Sequence, residues 1–119
     1  MSRIVSIETA AGAKIASSVM VARSFLSRFL GLLSRRTLHP DEGLLLLPGG
    51  SIHTIGMRFA VDAIFLDREF TILKIAGSLQ PQRLVFAPSG TRSVLEMNAG
   101  AAQVNALRPG MRLTLNPGA

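Results

Sequence analysis

Two residues stand out as able to do chemistry, His53 and Asp62, because both lie in the otherwise largely apolar stretch from Ser51 to Leu66 that also carries Thr54 and Arg58. A carboxylate inside an apolar strand is expensive to bury without compensation, so Asp62 calls for a partner. Three partners suit it: Arg58, Arg28 or a cluster of backbone amides. An arginine is the expected one, with Arg58 first because it shares the segment. Residues four apart on a straight strand share a face but lie about 13 Å apart, so Arg58 needs a bend near Phe59-Ala60, and Arg28 takes its place if the strand is straight. The functional alternative makes Asp62 a general base or a ligand-orienting group with His53 beside it.

The other candidates are weaker in pattern. No Gly-x-Ser-x-Gly turn presents a nucleophile to complete a triad with His53 and Asp62. His53, Asp62 and Glu96 are chemically suited to a metal, but no ligand spacing supports one, and neither a metal nor a cofactor is expected. Gly49-Gly50-Ser51 has amides that could cradle a phosphate, yet phosphate loops lead into helices and this one leads into a strand. Glu96, ahead of Asn98, suits an ion pair or a locked turn.

The elements that must position these residues are mostly strands. Arg3 to Glu8 and Lys14 to Val21 alternate apolar and polar residues and form a hairpin about Ala11-Gly12-Ala13. Ser24 is placed to cap a helix over about 24–34, in which Phe25, Leu26, Phe29, Leu30, Leu32 and Leu33 recur at helical spacing, with Arg28 on the polar side and Arg35 and Arg36 at the negative end of its dipole. Gly31 in that helix, one turn from Ser27, suits close approach of a second backbone. Leu44 to Leu47 is apolar on both faces, as a central strand requires. Asp67-Arg68-Glu69 turns a hairpin whose returning strand is Thr71 to Ala76, and Gly77 to Gln82 is an irregular excursion. Leu84 to Ala87 and Thr91 to Met97 are further strands, Asn98 caps a short helix over about 99–107, and Met111 to Leu115 closes the chain. Short strands at this spacing predict a mainly β fold, an antiparallel sandwich or partly open barrel, with the two helices as its only helical parts.

Composition narrows the partners. The 119 residues, 48% hydrophobic and 17% charged, suit a single domain over 1–119 with a packed core. The net charge of +6 is carried mainly by arginine, whose planar fork pairs with carboxylates and phosphates. These arginines are scattered rather than gathered in a basic arm, and the chain has no Tyr or Trp on which bases could stack, so nucleic acid is the third-ranked partner and its association would be weak. With no cysteine, disulfides, thiol catalysis and thiolate metal sites are excluded. No apolar run reaches the length of a membrane span, and with Met1 as the natural start there is no signal peptide, so the expected location is the cytoplasm.

The order and spacing of several blocks resemble the family called domain of unknown function 192: Ala22-Arg23 leading to Arg28, Gly31-Leu32-Leu33, Gly43-Leu44-Leu45, Ile52-His53-Thr54, Met57-Arg58, Val61 through Asp67, Val94-Leu95-Glu96, Ala99-Gly100 and Leu107-Arg108-Pro109-Gly110. The resemblance spans roughly residues 20 to 115 and implies a small, mostly β domain with no established activity or cofactor. This chain departs from the family pattern in having Gly49-Gly50 where many members have a cysteine, and Met111 where many have an acidic residue. The expected function is a small non-catalytic binding or interaction module for an anionic small molecule or peptide, with His53, Arg58, Asp62, Glu96 and Arg28 as candidate contacts. The alternative is an enzyme using His53 and Asp62 for proton transfer.

Overall fold

The computed structural model describes residues 3–23, 38–54 and 57–117. The amphipathic helix expected at 24–34, with Arg28, Gly31, Arg35 and Arg36, lies outside the described residues.

Among the described residues there are nine strands: β1 (Arg3–Thr9), β2 (Lys14–Ala22), β3 (Glu42–Leu46), β4 (Ile52–His53), β5 (Val61–Leu66), β6 (Ile72–Leu79), β7 (Leu84–Val85), β8 (Ser93–Asn98) and β9 (Leu113–Pro117). Seven of them form one sheet in the order β6-β5-β8-β3-β2-β1-β9, and β4 pairs with β7 in a second, two-stranded sheet. The large sheet curls until its two edge strands meet at one corner. There Ile72 N–H donates to Met111 O at 2.7 Å, Gly110 N–H to Ile72 O at 2.8 Å and Leu113 N–H to Phe70 O at 2.9 Å. The fold is therefore mainly β and takes the partly open barrel form.

Strand alternation sorts the apolar side chains onto two faces. Val5, Ile7, Val19, Val21, Leu45, Ile64, Leu66, Leu95, Met97 and Leu113 fill the inside of the curl. Leu44, Leu46, Ala63, Phe65 and Val94 project from the other face and are covered by Leu38 and Ile52, among others. With both faces covered, every residue of β5 is buried and so is every residue of β3 after Glu42, which is why Leu44 to Leu46 dispenses with polar alternation.

The sheet is mainly antiparallel, as expected, with β2 and β3 its one parallel pair among the described residues; a parallel pair needs a long connection, and residues 23–41 separate these two strands in sequence. Three expectations need correction. β6 extends to Leu79, through residues expected to be irregular, because a bulge keeps Leu79 paired with Val61. The final strand is shifted to Leu113–Pro117, where it pairs with β1. The short helix, α1, covers only Ala101–Val104, and its N-cap residue is Gly100 at φ 92°, not Asn98.

Away from the core, Asp41 docks onto β2. It accepts hydrogen bonds from the Ser17 hydroxyl and from Ser17 N–H. The hydroxyl bond first, then the amide bond, hold its carboxyl below the usual carboxylate range. A lowered folded pKa means that this contribution to stability is present above the unfolded value and lost as pH falls through the folded one. Ser17→Ala is expected to raise the Asp41 pKa toward the ordinary range, read as the midpoint of an NMR side-chain titration.

Tight packing constrains the chain after β3. Gly49 N–H donates to Arg92 O at 2.7 Å. A Cβ on Gly49 would lie 2.7 Å from Val94 N and closer still to Ser93 Cα, whereas one on Gly50 would meet nothing within 4 Å. Gly49→Ala is expected to destabilise by at least the 1 to 3 kcal/mol or so typical of overpacking, with Gly50→Ala close to neutral. Urea unfolding midpoints of the two variants check this.

Candidate functional site

Asp62 is 2% exposed on β5, and among the described residues its partners are backbone amides, not an arginine. Ser78 N–H donates to Oδ1 at 2.7 Å, Gly100 N–H to Oδ1 at 3.1 Å and Ala102 N–H to Oδ2 at 2.9 Å. The expected pair with Arg58 is thereby corrected: Arg58 is exposed, and the chain itself supplies the donors. The bulge makes this possible. Opposite Asp62 the register slips between Val61↔Leu79 and Ala63↔Ala76, and Ser78 adopts φ 50°, which turns its amide toward the carboxylate. A left-handed non-glycine residue costs roughly 1 to 2 kcal/mol, and the charge-assisted bond to Asp62 offsets it. From the other side, Asp62 caps α1 in place of a residue of the helix's own flank.

The remaining candidates do not gather around Asp62. Glu96 sits opposite Ala63 and Leu44, on the face away from the curl, whereas Asp62 shares the inner face with Ile64 and Leu66. His53 is exposed at the end of β4, paired with Leu84 in the separate small sheet. Arg28 lies outside the described residues. Among the described residues, no three His, Asp or Glu side chains are grouped to hold a metal ion.

Sequence reasoning passed over Thr54, a fully buried residue that staples the excursion after β6. Its hydroxyl donates to Gln80 O at 2.7 Å and accepts from Arg83 N–H at 2.9 Å. Only its position in an apolar segment hinted at this.

Sequence reasoning also missed a recess at the mouth of the curl. About 370 Å³ in volume, it is lined by Arg23 after β2, Leu47 and Pro48 after β3, Asp67, Arg68 and Phe70 from the β5–β6 turn, and Arg92 and Ser93 at the start of β8. That is within the range of roughly 300 to 1,000 Å³ typical of small-molecule sites, and barrel mouths are a usual place for them. The three arginines come from separate segments, so no local sequence pattern announces them. All three are exposed, and among the described residues none has a carboxylate partner. Asp67 is held by its own turn, its Oδ1 accepting from Glu69 N–H at 2.8 Å and Thr71 N–H at 2.9 Å. Ser93 is 1% exposed, and its Oγ has no hydrogen-bond partner among the described residues.

A curled sheet with a charged mouth describes a small β domain, and residues 6–115 match the family model described as "Uncharacterized ACR", domain of unknown function 192. The chain belongs to this family. It is similar to two UPF0127 proteins, one from Pyrococcus horikoshii (31% identical over 81 residues, 66% of this chain and 70% of the relative) and one from Pyrococcus furiosus (29% over 108 residues, 88% and 92%). Among solved structures it resembles a "putative transcription regulator" of Sinorhizobium meliloti, with TM-score 0.83 and 26% identity over 97% of this chain and 94% of that one. It also shares its fold with a protein of unknown function from Novosphingobium aromaticivorans, with TM-score 0.81 and 24% identity over 95% and 84% of the two chains. Among the described residues, no helix is long and apolar enough to cross a membrane.

Replacing Asp62 tests its role as a structural acceptor. Asp62→Ala strands three amides and is expected to cost roughly 2 to 4 kcal/mol, more than the roughly 1 kcal/mol of Asp67→Ala, whose turn amides can reach water. Asp62→Asn should lie between them, since one oxygen still accepts. Chemical denaturation of the three variants gives the order.

Proposed function

We propose that this protein is a small non-catalytic binding module for an anionic small molecule or peptide. The observation that carries this reading is the convergence of Arg23, Arg68 and Arg92 on one recess, where among the described residues they have no carboxylate partner and Asp67 is the sole acidic lining residue. Guanidinium groups bind carboxylates and phosphates through paired hydrogen bonds, and three of them around one recess can act on a single anion. The family resemblance is neutral here, since it brings no activity.

Proton transfer by His53 and Asp62 has less support. Both Asp62 oxygens accept backbone amides, and His53 is exposed on the separate small sheet. Association with nucleic acid has the net charge of +6 in its favour, together with the description of the Sinorhizobium meliloti relative. Binding through dispersed arginines would be independent of sequence and would weaken steeply with salt.

The test is an NMR titration of the labelled protein with phosphate, acetate, 4-methylpentanoate and short acidic peptides. At least one anion should give saturable amide shifts clustered at residues 67–71 and 92–93. Arg92→Ala should weaken that binding by roughly ten- to a hundredfold, the worth of one charge-assisted contact. Absence of saturable shifts with every anion, or equal binding by the Arg92→Ala variant, would overturn the proposal.

A further inference from the structure

We infer that the ligand of the arginine-lined recess is a small carboxylate bearing an adjacent hydrogen-bond donor and an apolar side chain: a 2-amino or 2-hydroxy acid rather than a phosphate. This rests on the binding-module reading and adds the chemical class of the ligand.

The recess contains more than positive charge. Asp67 lines it with an acceptor whose Oδ1 is committed to Glu69 N–H and Thr71 N–H, leaving Oδ2 without a partner among the described residues. A carboxylate beside three guanidinium groups lowers the attraction for a phosphate dianion. It suits a ligand that brings an acid to the arginines and a donor to Asp67. Adjacent functional groups on one carbon, as in an amino or hydroxy acid, meet that requirement in a small volume. The apolar lining supplies the third element. Leu47 and Phe70 both pack against the inner core while still facing the recess, so an aliphatic side chain seated there extends the core outward. Ser93, on the same inner face as Leu95 and Met97, lines the recess and carries a buried hydroxyl with no partner among the described residues, a polar group that a ligand carboxylate would satisfy.

Sites that hydrogen-bond a substrate group discriminate strongly against the analogue lacking it, because the site's own polar group is then left unpaired. Calorimetric titrations with L-leucine, 2-hydroxy-4-methylpentanoate, 4-methylpentanoate and inorganic phosphate use this. Leucine or its hydroxy analogue is expected to bind at least about tenfold more tightly than 4-methylpentanoate and than phosphate. The order of the first two distinguishes an amine from a hydroxyl as the donor. Asp67→Asn keeps an oxygen for the turn amides but replaces the free acceptor by a donor, so it should erase the tenfold preference, with 4-methylpentanoate binding no more weakly than before because a negative charge has left the recess. Ser93→Ala gives a second reading away from the turn, with a several-fold loss for every carboxylate. Phosphate or 4-methylpentanoate binding as tightly as leucine and its hydroxy analogue would overturn this ligand class and leave the anion module standing. Failure of all four probes to bind would overturn the ligand class, and failure of the acidic peptides and acetate as well would overturn the module too.

Discussion

Three backbone amides from two separate parts of the chain converge on the carboxylate of Asp62, and the geometry of the barrel depends on that convergence. Ser78 brings in the edge strand, while Gly100 and Ala102 bring in the segment that leaves β8 and enters α1. Each of these amides lies where regular pairing fails: one in a bulge and two at the start of a helix too short to satisfy its own donors. One buried carboxylate answers both deficits. An ionisable group in an apolar strand is therefore a consequence of how β5 is surrounded.

The other end of the curl is shaped by steric closeness. Gly49 lies against the backbone of Ser93 and donates to Arg92 O, which fixes the path of the chain leaving β3 across the start of β8. The Asp67 turn, closed by its own carboxylate, is held beside it by the bond from Arg92 N–H to Leu66 O at 2.8 Å. The recess lies beside these two turns; Arg68 belongs to the Asp67 turn, Arg92 leads into β8, and Arg23 follows the end of β2. Room for a side chain at position 50 but not at 49 shows how local this constraint is.

Alternation along the central strands separates chemistry that looks contiguous in sequence. β5 and β8 are covered on both faces, so polar groups on successive residues point into different cores. Asp62 faces the inside of the curl, and Glu96 the outside. The same alternation puts Ser93 on the inner face at the mouth, in line with Leu95 and Met97. A residue's place on one face or the other decides its available partners.

Much of the architecture was legible because it depends on local pattern. The β1–β2 hairpin follows from alternation broken by Gly12, the β5–β6 hairpin from Asp67 and its turn, and the central place of β3 from an unbroken leucine run. The need for a partner at Asp62 was also legible, since burial of a carboxylate has a fixed chemical cost wherever it occurs. Its partner's identity was not, because an amide looks the same at every residue and only folding decides which ones are left unpaired. The parallel β2–β3 pair was hidden for a related reason, as strand direction is set by the route of a crossover. The arginine-lined recess was the least legible feature. Arg23, Arg68 and Arg92 are each ordinary in their own segment, and they become a group only when the sheet curls and brings three strand ends together. Local periodicity and turn chemistry thus determined the strands and the face each residue takes, whereas the Asp62 node and the charged mouth were decided by tertiary structure, which alone sets the distances between segments remote in sequence.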